Sequence, residues 1–150
     1  MFSSPQPSDI QQGALGNCWL VAVFALIAER PRLLDHILLT KTLNSEGVYL
    51  VRICHNGLWK PIIVDDYFPC TSDKHLVFSQ AKRRQLYIPL IEKACAKIFG
   101  SYGALTSGNM LEGLQLLTGA PCEYIDLQPT HHPLDDDIVW AKLLSACESE

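Results

Sequence analysis

Ten consecutive apolar residues, Trp19 to Ala28, contain neither glycine nor proline. A run of this kind reads as a buried helix rather than a half-exposed amphipathic one. It is too short to cross a membrane, so a core has to be assembled around it. With 150 residues, 48% of them hydrophobic, the chain has the material for one domain with a real core. The residues leading into the run are equally constraining: Gln12-Gly13-Ala14-Leu15-Gly16-Asn17-Cys18. Gly13 and Gly16 give this loop backbone freedom, and Asn17 is a favoured N-cap. Cys18 then falls in the first helical turn.

That position suits chemistry. Free N–H groups and the helix dipole favour thiolate over thiol in a first turn, which is one way to make a nucleophile of a cysteine. Acyl transfer also needs donors aimed at the developing oxyanion. Gln12, six positions upstream, can fold back across the loop and join the Cys18 backbone N–H in that task. Most single cysteines are inert and buried. Gln, paired glycines, Cys and Trp together favour the nucleophile.

Gln12 to Leu20 resembles the active-site segment of the calpains, a branch of the papain-like cysteine proteases. The likeness continues through Val64-Asp65-Asp66, Leu90-Ile91-Glu92-Lys93-Ala94, Gly100-Ser101-Tyr102-Gly103-Ala104-Leu105, Glu112-Gly113 and Leu117-Thr118-Gly119. It covers residues 8 to 127. Gly119-Ala120-Pro121-Cys122-Glu123, with Ile138-Val139-Trp140-Ala141-Lys142, is similar to the small-optic-lobe type. The resemblance implies an α+β, mainly helical fold with a small antiparallel sheet, the Cys-bearing lobe of a papain-like protease. It also implies protein substrates.

Composition fits an intracellular, cytoplasmic domain. A net charge of −4 argues against a nucleic-acid footprint. Lys82-Arg83-Arg84 is too short to reverse that and reads as a solvated turn before a helix. The cysteines (18, 54, 70, 95, 122, 147) show no C-x-x-C and no zinc-like spacing with histidine. Scattered free thiols suit a reducing compartment. Met1 to Ile10 is polar and proline-rich and is not read as a signal peptide.

No internal repeat or linker divides the chain, which is read as one unit over residues 1–150. The first helix is expected to end near Glu29, because Pro31 resists its continuation. A short helix follows over Arg32 to Thr40. Gly47 to Cys54 and Leu58 to Val64 read as strands joined at His55-Asn56-Gly57, since Asn-Gly is a strong hairpin signal. Gln85 to Phe99 is helical, with Gly100 as a C-cap. Asn109 to Leu117 forms another helix closed by Gly119, and Asp136 to Ala146 the last. Asp135-Asp136-Asp137 is read as favouring that helix's positive end rather than as a cation site.

A thiol protease also needs a base and a group that orients it. His36, His55, His75, His131 and His132 all read as surface residues of a helix, a turn or loops. In proteins similar to calpain, the catalytic His and Asn come from a second lobe that follows the Cys lobe. No segment here resembles that lobe, so the chain reads as half an active site, inactive alone, with the second lobe as a partner. The alternative is a non-catalytic binding or regulatory module, which needs neither Cys18 nor Gln12.

Further roles follow from the resemblance. Ser107 and Gly108 stand where calpain-like proteins carry two glycines whose backbone pairs with substrate. Gly108 keeps the pattern; Ser107 offers the same backbone groups if its φ stays negative. The loop can equally be a helix lead-in capped by Asn or Ser. Trp19 flanks the nucleophile and excludes water, or simply packs. Calpains hold a calcium ion in this lobe through carbonyls before the motif, an Asp, and a Glu from a later helix. Asp9 matches the Asp, and Phe2 and Ser4 stand at the carbonyl positions. Gln85 replaces the Glu, which lowers site charge and predicts weak calcium binding or none. No EF-hand loop is present, and no organic cofactor is implied.

Overall fold

Helix α1 (Cys18–Ala28) supplies one side of the core in the structure, a computed structural model that describes residues 5–128 and 134–148. Leu20, Val23, Phe24 and Ile27 enter the core from it. Ala22 is exposed and Leu26 is 44% exposed, so α1 buries one broad face rather than its whole circumference. An all-apolar sequence hides that asymmetry, because exposure is decided by what packs against the helix.

Helix α2 (Pro31–Ile37) uses its proline at the first position, where the missing N–H costs nothing. It stops short of the expected Thr40 because Leu38 turns extended (φ −89, ψ 98) and bridges to Val51. Two strands follow a short β1 (Ile10–Gln11): β2 (Val48–His55) and β3 (Leu58–Asp65), paired antiparallel from Val48↔Asp65 to His55↔Leu58. Asn56 and Gly57 both have positive φ (53 and 74), the two-residue turn that matches strand twist. Tyr49, Val51 and Ile53 face the core, whereas Val48 and Leu50 face outward. His55 is the last strand residue rather than part of the turn.

The second sheet pairs β1 with β4 (Gln80–Ala81), in register Ile10↔Ala81 and Gln11↔Gln80. Two-residue strands carry no alternation, and sequence reading passed over them. A 3-10 turn, Lys82–Arg84, follows. Helix α3 (Tyr87–Phe99) starts two residues later than expected because Gln85 is extended and bridges to Ala81. It ends at Gly100, whose φ of 95 suits only glycine. Lys97 donates to the Ile63 carbonyl (2.8 Å) and Lys93 to Asp65 Oδ1 (2.6 Å), tying α3 to the hairpin.

Helix α4 (Met110–Thr118) is capped by Asn109, whose Oδ1 accepts from Leu111 N at 2.9 Å, and closed by Gly119 at φ 67. Helix α5 (Asp136–Glu148) has no buried residue among those described. Asp135 Oδ1 accepts from the amides of Asp137 and Ile138, so the acidic triplet caps this helix. The fold is α+β and mainly helical, with two small antiparallel pairs. Among the described residues no helix is long and apolar enough to cross a membrane.

Candidate active site

Cys18 is the first residue of α1, exposed and unpaired with any other cysteine. Cys54 and Cys95 are buried, and burial pushes the Cys95 thiol up, away from reactivity. Asn17 takes the N-cap position, as expected, but its side chain does no capping. Its backbone carbonyl accepts from Leu20 N (2.9 Å) and Val21 N (3.1 Å). Its buried amide instead donates to Glu92 Oε1 at 2.7 Å. Among the described residues no backbone acceptor takes the Cys18 N–H. This N–H is thus left as a donor beside the Cys18 thiol.

Glu92, on α3, is 1% exposed and accepts three hydrogen bonds. Oε1 takes Asn17 Nδ2 and Ser79 Oγ (2.5 Å), and Oε2 takes Ser79 N at 2.9 Å. Burial raises its pKa, against the lowering effect of the bonds from Ser79 and Asn17. The sequence reading assigned Glu92 no role. The available signal was an acid within Leu90-Ile91-Glu92, on the apolar face of a helix. Gly13 adds a second tie to the same segment. A Cβ there would sit 2.4 Å from the Val77 carbonyl oxygen and the Phe78 carbonyl carbon, and Ala14 N donates to Val77 O at 2.8 Å. Neither Gly13 nor Gly16 has positive φ. Gly13 is therefore required for space, not for the backbone freedom expected of it.

Trp19 is half-buried and donates from Nε1 to the Leu105 carbonyl at 2.9 Å. A Cβ on Gly108 would lie 2.4 Å from its Cε2, and one on Gly113 3.2 Å from its Cζ3. Across the loop, a Cβ on Gly16 would make ordinary contact with Thr106 (3.6 Å). The segment 106–109 is thus held beside the Cys18 loop, with Ser107 and Gly108 exposed on it. Among the described residues the non-glycine ones with positive φ are Asn56, Lys74, Arg83 and Arg84, so Ser107 meets the backbone condition set above. Gln12 is exposed and its amide folds back across the loop, donating from Nε2 to Leu15 O at 2.6 Å.

The described histidines have other company. His36 Nδ1 lies 3.2 Å from Arg52 Nη1, and its ring meets Trp59 edge-on at 4.6 Å. His55 meets Phe99 edge-on, and His75 N donates to Thr71 Oγ1. None is hydrogen-bonded to Cys18 among the described residues. His131 and His132 lie outside those residues.

Of the four expected calcium ligands, Asp9 and Gln85 lie among the described residues, and both are engaged with other partners. Phe2 and Ser4 lie outside the described residues. Asp9 is buried, but its Oδ2 already accepts from Arg83 Nη2 at 2.5 Å and from Gln85 Nε2 at 3.4 Å. Calcium needs six to eight oxygen ligands. Here a guanidinium and an amide nitrogen face the one carboxylate. No group of three or more His, Cys, Asp or Glu able to hold a metal occurs among the described residues. Gln85 also precedes α3 rather than standing on it.

Cys18 is thus an exposed thiol at a helix start, with its backbone N–H beside it and a glycine-bearing loop across from it. Comparison with known proteins identifies the lineage: the profile of the calpain family cysteine proteases matches residues 1–150. The chain belongs to the calpain family. It is 38% identical over 141 residues to the calpain-type cysteine protease DEK1 of Arabidopsis thaliana, covering 92% of this chain and 6% of that one. DEK1 of Zea mays is 38% identical over 148 residues, covering 96% and 7%. The calpain-1 catalytic subunit of Sus scrofa is 35% identical over 139 residues, covering 85% and 19%. The chain thus spans a small part of the length of these calpains.

Proposed function

We propose that this chain is the Cys-bearing lobe of a cytoplasmic calpain-like cysteine endopeptidase and supplies its nucleophile and oxyanion hole. One observation carries the reading: Cys18 is an exposed thiol at the start of a helix whose inner face is in the core, beside a loop held by Glu92 and Gly13. Its thiolate, having given its proton to the base, attacks the scissile carbonyl; the Cys18 N–H and the Gln12 amide receive the oxyanion, the C–N bond breaks, the amine leaves with that proton, and water later hydrolyses the acyl-enzyme. The Gln12 amide then serves the oxyanion instead of, or alongside, Leu15. The backbone of Ser107 and Gly108 aligns a protein substrate. Gly119 to Glu123 with Ile138 to Lys142 support the small-optic-lobe type within the family.

The base and its orienting group come from a second, His- and Asn-bearing lobe, and the lobe alone has little activity, because attack without a base leaves most of the barrier standing. A non-catalytic module would have no use for an exposed cysteine prepared in this way. An epoxysuccinyl peptide tests the proposal. Cys18 is expected to be alkylated efficiently only when the His-bearing lobe is added. Casein cleavage by this chain alone, lost in Cys18→Ser, refutes the assignment of the base to a second lobe.

A further inference from the structure

The Asp9 site holds a cation, and that cation is a side chain. We infer that Arg83 is a built-in counterion that does the structural work of a metal at Asp9, so that the approach to Cys18 is ordered without calcium. Asp9 closes the 3-10 turn Pro7–Asp9 and runs directly into β1. Gln12 follows β1 and Cys18 lies six residues further on. Arg83 stands on the turn Lys82–Arg84 that follows β4, the partner of β1. The Arg83–Asp9 bridge therefore clamps the two chain segments at the end of the β1–β4 pair, across 74 residues of sequence.

Three features say that this arrangement is built rather than incidental. The Asp9 side chain is 10% exposed while that of Arg83 is 55% exposed, so a buried carboxylate is met by a guanidinium that reaches it from a solvent-exposed turn. The Gln85 amide turns its nitrogen to the same carboxylate oxygen, a donor where a metal needs an oxygen. Arg83 (φ 60, ψ 26) and Arg84 (φ 54) both adopt the left-handed backbone that non-glycine residues avoid, in the same turn from which Arg83 reaches Asp9. An open cleft of about 610 Å³ beside this turn is lined by Lys74, His75, Lys82, Arg83 and Arg84 against a single acid, Asp73. Asp9 itself does not line this cleft, and a divalent cation approaching the turn through it meets net positive charge.

The inference concerns calcium and not Cys18, so its failure leaves the protease assignment standing. Isothermal calorimetry of the wild-type chain with CaCl₂ is expected to show no binding heat, and its Tm is expected to be the same in calcium and in EGTA. The double variant Arg83→Ala/Gln85→Glu removes the counterion and adds a carboxylate. It is expected to bind calcium and to gain on the order of 5 °C in Tm at a hundredfold excess over Kd. Failure of a folded double variant to bind calcium overturns the inference. So does a wild-type calcium site abolished by Asp9→Asn. The wild-type titration needs no variant and decides the point even if the double variant fails to fold.

Discussion

Gly108 and Gly16 border the same site, and the structure gives them opposite fates on substitution by alanine. A Cβ on Gly108 would lie 2.4, 2.5 and 2.8 Å from three atoms of the Trp19 ring, when ordinary contact begins near 3.4 Å. The ring or the loop must therefore move by about an ångström. Trp19 has little room to retreat, because its Nε1 is bonded to Leu105 O at 2.9 Å and Gly113 backs the ring. Overpacking of this kind costs about 1–3 kcal/mol, and loss of the indole hydrogen bond adds about 1 kcal/mol. Gly108→Ala is expected to lose roughly 2–4 kcal/mol, or about 4–16 °C in Tm for a chain of this size. A Cβ on Gly16 meets Thr106 at 3.6 Å, and Gly16 lacks positive φ. Gly16→Ala is expected to be neutral, or stabilising by about 0.5 kcal/mol through the unfolded state. Thermal and urea unfolding of both variants measure the contrast. Cys18 labelling in the presence of the second lobe reports whether the displaced loop also disturbs the site. Equal Tm values for Gly108→Ala and wild type would refute the argument from contact geometry.

Two further substitutions probe the carboxylates of the scaffold. Glu92→Gln leaves one oxygen for three donors and sets an amide N–H against the Ser79 N–H or against the Asn17 and Ser79 side-chain donors, at a cost of about 1–3 kcal/mol. Because burial raises the folded pKa of Glu92 above 4.5, its stabilising share is full below pH 4.5 and declines as pH rises through the folded value. The deficit of Glu92→Gln, followed by urea unfolding across pH 4–8, should shrink as pH rises; a deficit that grows contradicts the assignment. Lys93→Met removes the hydrogen bond that chiefly holds the Asp65 carboxyl below its usual value, ahead of the Tyr67 amide. In the wild type the folded pKa lies below 3.8, so the contribution of Asp65 is fully present above pH 3.8 and is lost as pH falls through the folded value. NMR titration of Asp65 should show an upward shift, with a stability loss of about 1 kcal/mol, modest because Asp65 is half exposed. An unmoved Asp65 titration would exclude Lys93 as the cause.

What could be read from the sequence was whatever is decided within a few residues. Asn56-Gly57, Gly100 and Gly119 fixed their turns and helix ends because positive φ is a local demand. The Cys18 helix start and the Asn109 cap were legible on similar grounds. What escaped depends on chain segments far apart in sequence. The β1–β4 pair is two residues long and exists only because Ile10 meets Ala81. Asn17 was placed correctly at the N-cap, yet its amide answers to Glu92, 75 residues away. Gly13 was noticed for flexibility and matters for the backbone that passes 2.4 Å from where its Cβ would be. Arg83 read as a solvated charge, and its tie to Asp9 needs both turns to be in place.

The Glu92 clamp also bears on what the site is for. A buried carboxylate is a poor way to gain stability, since well-packed apolar side chains of similar volume do as well or better. Glu92 is disfavoured in its ionised form by its own burial. An apolar residue could fill the space, but it could not set a direction. Three directional bonds from one side chain fix both the Asn17 side chain and the Ser79 backbone. Asn17 immediately precedes Cys18 and lends its carbonyl to the first turn of α1. Together with the Gly13 contact, the clamp holds the nucleophile loop against residues 77–79 from both ends. What the buried acid supplies in place of stability is the orientation of a neighbour. The neighbour here is the exposed thiol.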